Sequence, residues 1–327
     1  MLFMGISALP FYIFPSGGVQ PAHLMLALFA AIVLLRLGFQ SQLWSWLMLA
    51  LSIWVLLTES IRVIFLSEDT ASLLNFIYFF YNFILTQAIA RHVEKDGLKP
   101  IALGFLVAGL LVSGFIVMTG VSLSELTDGR RGAGTFNNPN QLGFFSVCLL
   151  SMTYFLYAIR HVSYMSAIGL YGVSLFISIV SLSKAAMLAN GLVLLFAIKP
   201  KLTRTTLPLA LVVFLGMVYV IYFQYLAGAF DHLLFVQRLL GMMSESDSSL
   251  ESRGYFILLE GNAFNAFFGM GGAEVERVLG HEVHSTLASV ASNFGFVGLS
   301  LFVGVLSIWA SRIYRHFGFI GLVCIVG

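Results

Sequence analysis

Charge is what this 327-residue chain has least of: Asp, Glu, Lys and Arg make up 10% of it, against roughly 25% in an ordinary soluble domain. Fifteen acids and 17 Lys and Arg residues are too few to coat a globule of 35.9 kDa, so most of the exterior must face something as apolar as itself, namely lipid. A soluble globular fold is excluded. Cysteine is scarce as well. Cys148 and Cys324 both lie inside apolar runs, where they pack as small hydrophobes rather than form a disulfide or a metal site. Tandem repeats and low-complexity linkers are absent, which leaves a single membrane domain over 1–327 as the simplest organisation. What the chain has in abundance is apolar surface, at 59% hydrophobic residues and a mean hydropathy of +0.95.

The apolar runs lack the two-residue alternation of ~10-residue barrel strands, so the expected fold is all-α, a polytopic bundle of transmembrane helices each needing about 20 residues. Spans are predicted near 21–38, 42–65, 71–90, 98–120, 139–159, 162–181, 184–198, 205–226 and 285–311. Shorter apolar pieces at 1–14 and 317–327 bring the total to about 10–11. Residues 1–14 have no positively charged start of a secretory signal and read as a first span; 317–327 stops in mid-run, as expected of a chain that continues. Assigning alternate loops to two sides collects Arg36, Arg91, Lys95, Lys99, Arg160, Lys199, Lys201, Arg204, Arg312 and Arg315 on one side, with only Glu94 and Asp96 as acids. By the positive-inside rule that side is cytoplasmic. Two outer loops are long, 121–138 and 227–284. In the second, Phe230, Leu233, Leu234 and Leu240 recur at helical spacing and predict an amphipathic helix lying on the bundle. A polar turn at 244–249 and an aromatic-rich segment at 253–268, broken by Gly and Asn before it could span, follow it.

Seven basic residues run against the bias and fall on the outer side: Arg62, Arg130, Arg131, Lys184, Arg238, Arg253 and Arg277. Arg130 and Arg131 open a glycine-rich string that ends in Asn138-Pro139, an N-cap followed by proline at the first helical position. Guanidinium groups beside a helix N-terminus suit a phosphate; the bland alternative is a capped turn with snorkelling arginines. Lys184 sits between two apolar runs with no real loop. A buried ammonium there costs ~2.5–3.5 kcal/mol at mid-membrane and calls for a partner or ligand, unless it snorkels to the interface. Arg253 can pair with Glu251 or Asp247. His284, in His281-Glu282-Val283-His284, is either a satisfied interfacial histidine or a general base. Its spacing from His281 is i, i+3, not the i, i+4 of a zinc-protease helix, and there is no third ligand nearby, so no metal is expected. Glu59 is the one acid placed deeper within a span.

Taken in order, Arg-x-x-Gly-x-Phe-x-Asn-Pro-Asn from Arg131, Ser183-Lys184-Ala185-Ala186 at a span junction, Arg253 in the long loop, and His284 followed by Phe294-Gly295-Phe296-Val297-Gly298-Leu299 resemble the bacterial O-antigen ligase and O-antigen/exopolysaccharide polymerase superfamily. The resemblance covers about 121–311. It implies a GT-C-like bundle in the inner membrane whose active site faces the periplasm. It also implies transfer of a glycan from undecaprenyl pyrophosphate to a sugar hydroxyl with no metal, nucleotide sugar or other cofactor; the chemistry expected of such residues is a direct displacement at the anomeric carbon with inversion. On that resemblance His284 is the catalytic base, and Arg131, with its neighbour Arg130, binds the pyrophosphate, as do Lys184 and Arg253. Lys184 departs from the family's usual Arg at that position, and loses the bidentate fork. The His284-Ser285-Thr286-Leu287 form looks more like the polymerase side of the family. The expected activity is therefore polymerisation of repeat units, the alternative a ligase acting on lipid A-core, and the more distant alternative a transporter or flippase of the lipid-linked oligosaccharide. Expected partners are the lipid-linked donor, a glycan or lipid A-core acceptor, membrane lipid and a chain-length regulator, but no nucleic acid.

Overall fold

The computed structural model describes residues 1–14, 18–65, 70–119, 133–198, 263–279, 283 and 286–318. Every regular element among them is helical: α1 (Leu2–Ala8), α2 (Pro21–Leu37), α3 (Leu43–Phe65), α4 (Leu74–Asp96) after a 3-10 turn at Thr70–Leu73, α5 (Lys99–Thr119), α6 (Pro139–Ala158), α7 (Tyr164–Ser181), α8 (Lys184–Ile198), α9 (Ala263–Phe268), α10 (Gly272–Leu279) and α11 (Thr286–Phe317). Five of these, α3, α5, α6, α7 and α11, are long and apolar enough to cross a membrane. The chain is thus a helical, multi-pass membrane protein. Large apolar side chains stand exposed along its helices, Leu35 and Met118 at 88%, as expected where the solvent is lipid.

Eight of the nine long predicted spans fall on described residues, and a helix occupies each. The ninth, 205–226, lies outside them, as do the amphipathic helix predicted near 230–240 and residues 319–327. The predicted first span is corrected: within 1–14 only the seven residues of α1 are helical, ~11 Å at 1.5 Å per residue and too short to cross. Within the long loop, α9 falls in the aromatic-rich segment, while α10 is a helix that hydropathy did not mark.

The packing divides into two compact units. In one, α5, α6 and α7 share a core of Ala108, Val112 and Ile116 with Leu142, Phe145, Leu149, Ile177 and Val180, and α1 lies on α5. Lipid is as apolar as leucine, so helix association here depends on close fit and on hydrogen bonds between helices. Both occur where α6 meets α8. A Cβ on Gly143 would lie 2.7 Å from Ser183 Cβ and 2.9 Å from Ala186 Cβ, so only glycine admits that approach. One and two turns further on, Asn190 Nδ2 donates to Ser146 Oγ at 3.0 Å, and Leu150, Tyr154 and Val193 pack together. The other unit holds α3, α4, α9, α10 and most of α11. Its core joins Leu51 and Val55 of α3 to Val290 and Phe294 of α11.

Gly143→Val drives side-chain atoms into Ser183 and Ala186, and overpacking of this kind costs about 1–3 kcal/mol. Its melting temperature in detergent is expected to fall clearly. Gly114→Ala, where a Cβ meets nothing within 4 Å, is expected to leave it unchanged or raise it slightly.

Candidate functional site

Of the residues the sequence singles out, Arg130, Arg131, Arg253 and His284 lie outside the described residues, and Lys184 is described only as the residue that opens α8. The backbone that leads to and from them is on view. After the two arginines, Gly134 takes φ 58°, and Tyr12 N donates to Thr135 O at 3.1 Å. Asn137 Nδ2 donates to Phe14 O at 2.8 Å, and Phe136 sits against the rings of Tyr12 and Phe145. Asn138 then caps α6 as expected: its backbone is extended, and its side chain accepts from Asn140 N at 2.8 Å with Pro139 as the first helical residue.

At the Lys184 junction, α7 stops at Ser181 and Leu182 adopts the left-handed conformation at φ 48°. Ser183 Oγ accepts from Ala186 N at 3.5 Å. The chain reverses within two residues, so Lys184 occupies the first turn of α8. A lysine there opposes the positive end of the helix dipole, an arrangement that an anion reverses. Because Gly143 touches Ser183 and Ala186, the first turns of α6 and α8 come together at one end of this unit. The structure thus brings the junction bearing Lys184 beside the helix that follows the two arginines.

The second unit holds the described residues nearest to His284 in the chain. Val283 and Thr286, on either side of it in the chain, line a pocket of about 270 Å³ with Asn75 and Phe79 of α4 and Ser289, Val290, Asn293 and Phe294 of α11. Behind this pocket lies an ion pair. Glu59 is fully buried and Arg62 4% exposed, with Arg62 Nη1 3.7 Å from Glu59 Oε2. Asn75 Nδ2 donates to Glu59 Oε1 at 2.9 Å.

The pair is there because α11 is broken. Gly295 takes φ 67°, ψ −170° inside the helix, which interrupts the ladder and strips the preceding carbonyls of their usual donors. Three of these find others. Ser292 O accepts from Met270 N at 2.7 Å, Asn293 O from Arg62 Nη2 at 2.9 Å, and Phe294 O from the indole of Trp54 at 2.9 Å. Arg62 Nη2 also donates to Phe268 O, the end of α9, at 3.2 Å. Glycine is required at the break, since a Cβ on Gly295 would stand 2.2 Å from Phe267 O. It is required at 271 too, where a Cβ would sit 2.8 Å from Arg62 Nη1.

Sequence reasoning missed this cluster. It marked Arg62 as a cation on the wrong side and Glu59 as a deeper acid without joining them. The signal was their i, i+3 spacing inside an apolar run, since ionisable residues within a span are costly and come paired. Arg277, another of the seven unexpected cations, needs no ligand. It donates to both Glu274 oxygens, at 2.6 and 2.7 Å, and this hydrogen bonding holds the Glu274 carboxyl below its ordinary range. Stability from that exposed pair is present above the ordinary carboxylate pKa and fades as pH falls through the lowered one.

Arg62→Met leaves Glu59 buried without its cation and two carbonyls without a donor. Breaking a buried pair costs about 3–5 kcal/mol, so a large drop in melting temperature is expected in detergent. The double variant Arg62→Met, Glu59→Leu is expected to recover part of it, because no isolated charge remains; equal loss in both variants would contradict the pairing.

No protein-family model, curated protein or solved structure matches the chain.

Proposed function

We propose that the chain is a membrane glycosyltransferase of the O-antigen polymerase and ligase kind, with a GT-C-like bundle and its long loop and active site on the periplasmic face of the bacterial inner membrane. It joins O-antigen or exopolysaccharide repeat units, taking the growing glycan from undecaprenyl pyrophosphate. The observation that carries this reading is the polar pocket formed by the neighbours of His284, because a general base must stand within hydrogen-bond reach of the hydroxyl it deprotonates. A cation opening α8 beside the capped start of α6 supports it further, as the kind of end to which a phosphate is drawn.

In the reaction, His284 takes the proton of the acceptor hydroxyl as that oxygen attacks the anomeric carbon. The bond from that carbon to the pyrophosphate oxygen breaks with inversion, and undecaprenyl pyrophosphate leaves. Arg131, Arg130, Lys184 and Arg253 neutralise the charge that grows on the leaving group. None of these steps calls for a metal. One feature favours a second reading, transport of the lipid-linked oligosaccharide: a helix interrupted beside a buried ion pair is how many transporters build their sites.

A glycan profile of cells lacking the chain, with the lipid-linked pool assayed alongside, separates the readings. Single repeat units left on undecaprenyl pyrophosphate, with polymer missing, are expected. Polymer on the lipid carrier with bare lipid A-core would mean a ligase, and lipid-linked units trapped on the cytoplasmic side a transporter. His284→Ala, expressed normally, should abolish transfer. Arg131→Ala should lose about 10²–10³-fold in rate, and Arg131→Lys less, since it keeps the charge and gives up only the fork.

A further inference from the structure

The aromatic-rich segment of the long loop is too short to cross a membrane, yet the structure sets its end at membrane depth. Arg312 marks one edge of the apolar layer in the second unit, since cations and tryptophans gather where a span meets water. It follows Trp309, whose ring meets that of Trp44, and it donates to Gln42 just before α3 begins. From Arg312 back along α11 to Gly295 is ~26 Å at 1.5 Å per residue, and any tilt of the helix shortens that height. A hydrocarbon core is about 30 Å thick. Gly295 therefore lies inside the far margin of the core, and α9 lies beside it, because a Cβ on Gly295 would stand 2.2 Å from Phe267 O.

The build of α9 fits that depth. No residue of Ala263–Phe268 is buried, and Phe264 and Phe267 are 54% and 59% exposed. They continue the lipid-facing surface of the spans, where Phe296, the residue after the break, and Leu57 of α3 stand exposed as well. Behind them Phe268 stacks on Phe264 at 4.7 Å and on Trp54 at 5.5 Å, which seats α9 on α3. Apolar surroundings tolerate a non-helical turn only where protein meets its polar groups. The turn that leaves α9 satisfies this: Gly269 N donates to Asn265 O and Met270 N to Ser292 O, both at 2.7 Å, and Phe268 O accepts from Arg62 Nη2. No charged residue occurs from 261 to 273. Charge returns in α10, where Glu274 pairs with Arg277 and Glu276 is exposed.

We propose that α9 is re-entrant: the loop dips into the leaflet opposite Arg312, rests Phe264 and Phe267 among lipid acyl chains, and regains the aqueous face through α10. What covers this face is the bilayer and not a second protein, because the patch continues a surface that already meets lipid. The anchor fixes the depth at which the loop meets the break in α11, whichever chemistry the chain performs.

The test uses the full chain in nanodiscs of phosphatidylethanolamine and phosphatidylglycerol. In a background of Cys148→Ala and Cys324→Ala, a nitroxide is attached at Phe264→Cys, at Phe267→Cys and, for comparison, at Glu276→Cys. Molecular oxygen, which concentrates among acyl chains, is expected to relax the label more than a water-soluble nickel complex does at 264 and 267, with the order reversed at 276. Stronger relaxation by nickel at 264 and 267 places α9 in water and overturns the proposal. Labels shielded from both reagents mean that a protein partner or a second copy covers the face, and overturn it equally. The unaltered chain gives an independent reading should these variants fold poorly. Phosphatidylcholine with a diazirine midway along one acyl chain is expected, on photolysis, to label residues 263–268 and spare 274–277. The reverse pattern, or labelled spans with no adduct on 263–268, contradicts a re-entrant α9.

Discussion

Three backbone carbonyls, those of Ser292, Asn293 and Phe294, set the terms for one half of this molecule. A helix in apolar surroundings has no water to turn to when its ladder is interrupted, and each orphaned carbonyl must be met by a protein donor or the break does not persist. The three donors here are a backbone N–H at Met270, a guanidinium at Arg62 and an indole at Trp54. They come from the long loop and from α3, so a local irregularity in α11 dictates which distant segments gather round it. The loop in turn approaches only because residues 271 and 295 carry no side chain.

The dependence runs outward. Arg62 can be buried at that spot only with a counter-ion, which is Glu59; Glu59 in turn takes a hydrogen from Asn75, and Asn75 forms one wall of the pocket. A polar cavity at the start of α11 is therefore the far end of a chain of obligations that begins with one glycine. The first unit solves a milder problem by simpler means. Its described helices carry no such break, and close fit at Gly143 together with a buried amide-to-hydroxyl bond, Asn190 to Ser146, seats α8 on α6.

The helices were legible because hydropathy is a long-range average: a run such as 43–65 announces itself whatever its neighbours do. Local chemistry was legible too where it is complete within a few residues. Asn138-Pro139 reads as a helix start in the string itself, and so does the abrupt turn before Lys184. What could not be read is what depends on partners distant in sequence. Gly295 is one of 31 glycines, and nothing beside it says that it breaks a helix rather than lines one; that depends on Trp54 and Arg62, more than 230 positions away. The Leu2–Ala8 helix failed as a span for the opposite reason, since an apolar stretch promises burial but not length of helix. Of the candidate site, Arg130, Arg131, Arg253 and His284 lie outside the described part and Lys184 is seen only as the residue that opens α8; what came into view is the chain that leads to and from them.

The break in α11 also divides labour along that helix. Unbroken, its 32 residues would measure ~48 Å at 1.5 Å per residue, well beyond a hydrocarbon core of about 30 Å. The part after Gly295, residues 296–317, is ~33 Å long by the same rule and spans that core unaided. The nine residues before it, Thr286–Phe294, are thus surplus to crossing. Released from matching the thickness of a bilayer, that short piece can be aimed by its own contacts, and its angle is set by Trp54, Arg62 and Met270 while the remainder of the helix is matched to the membrane.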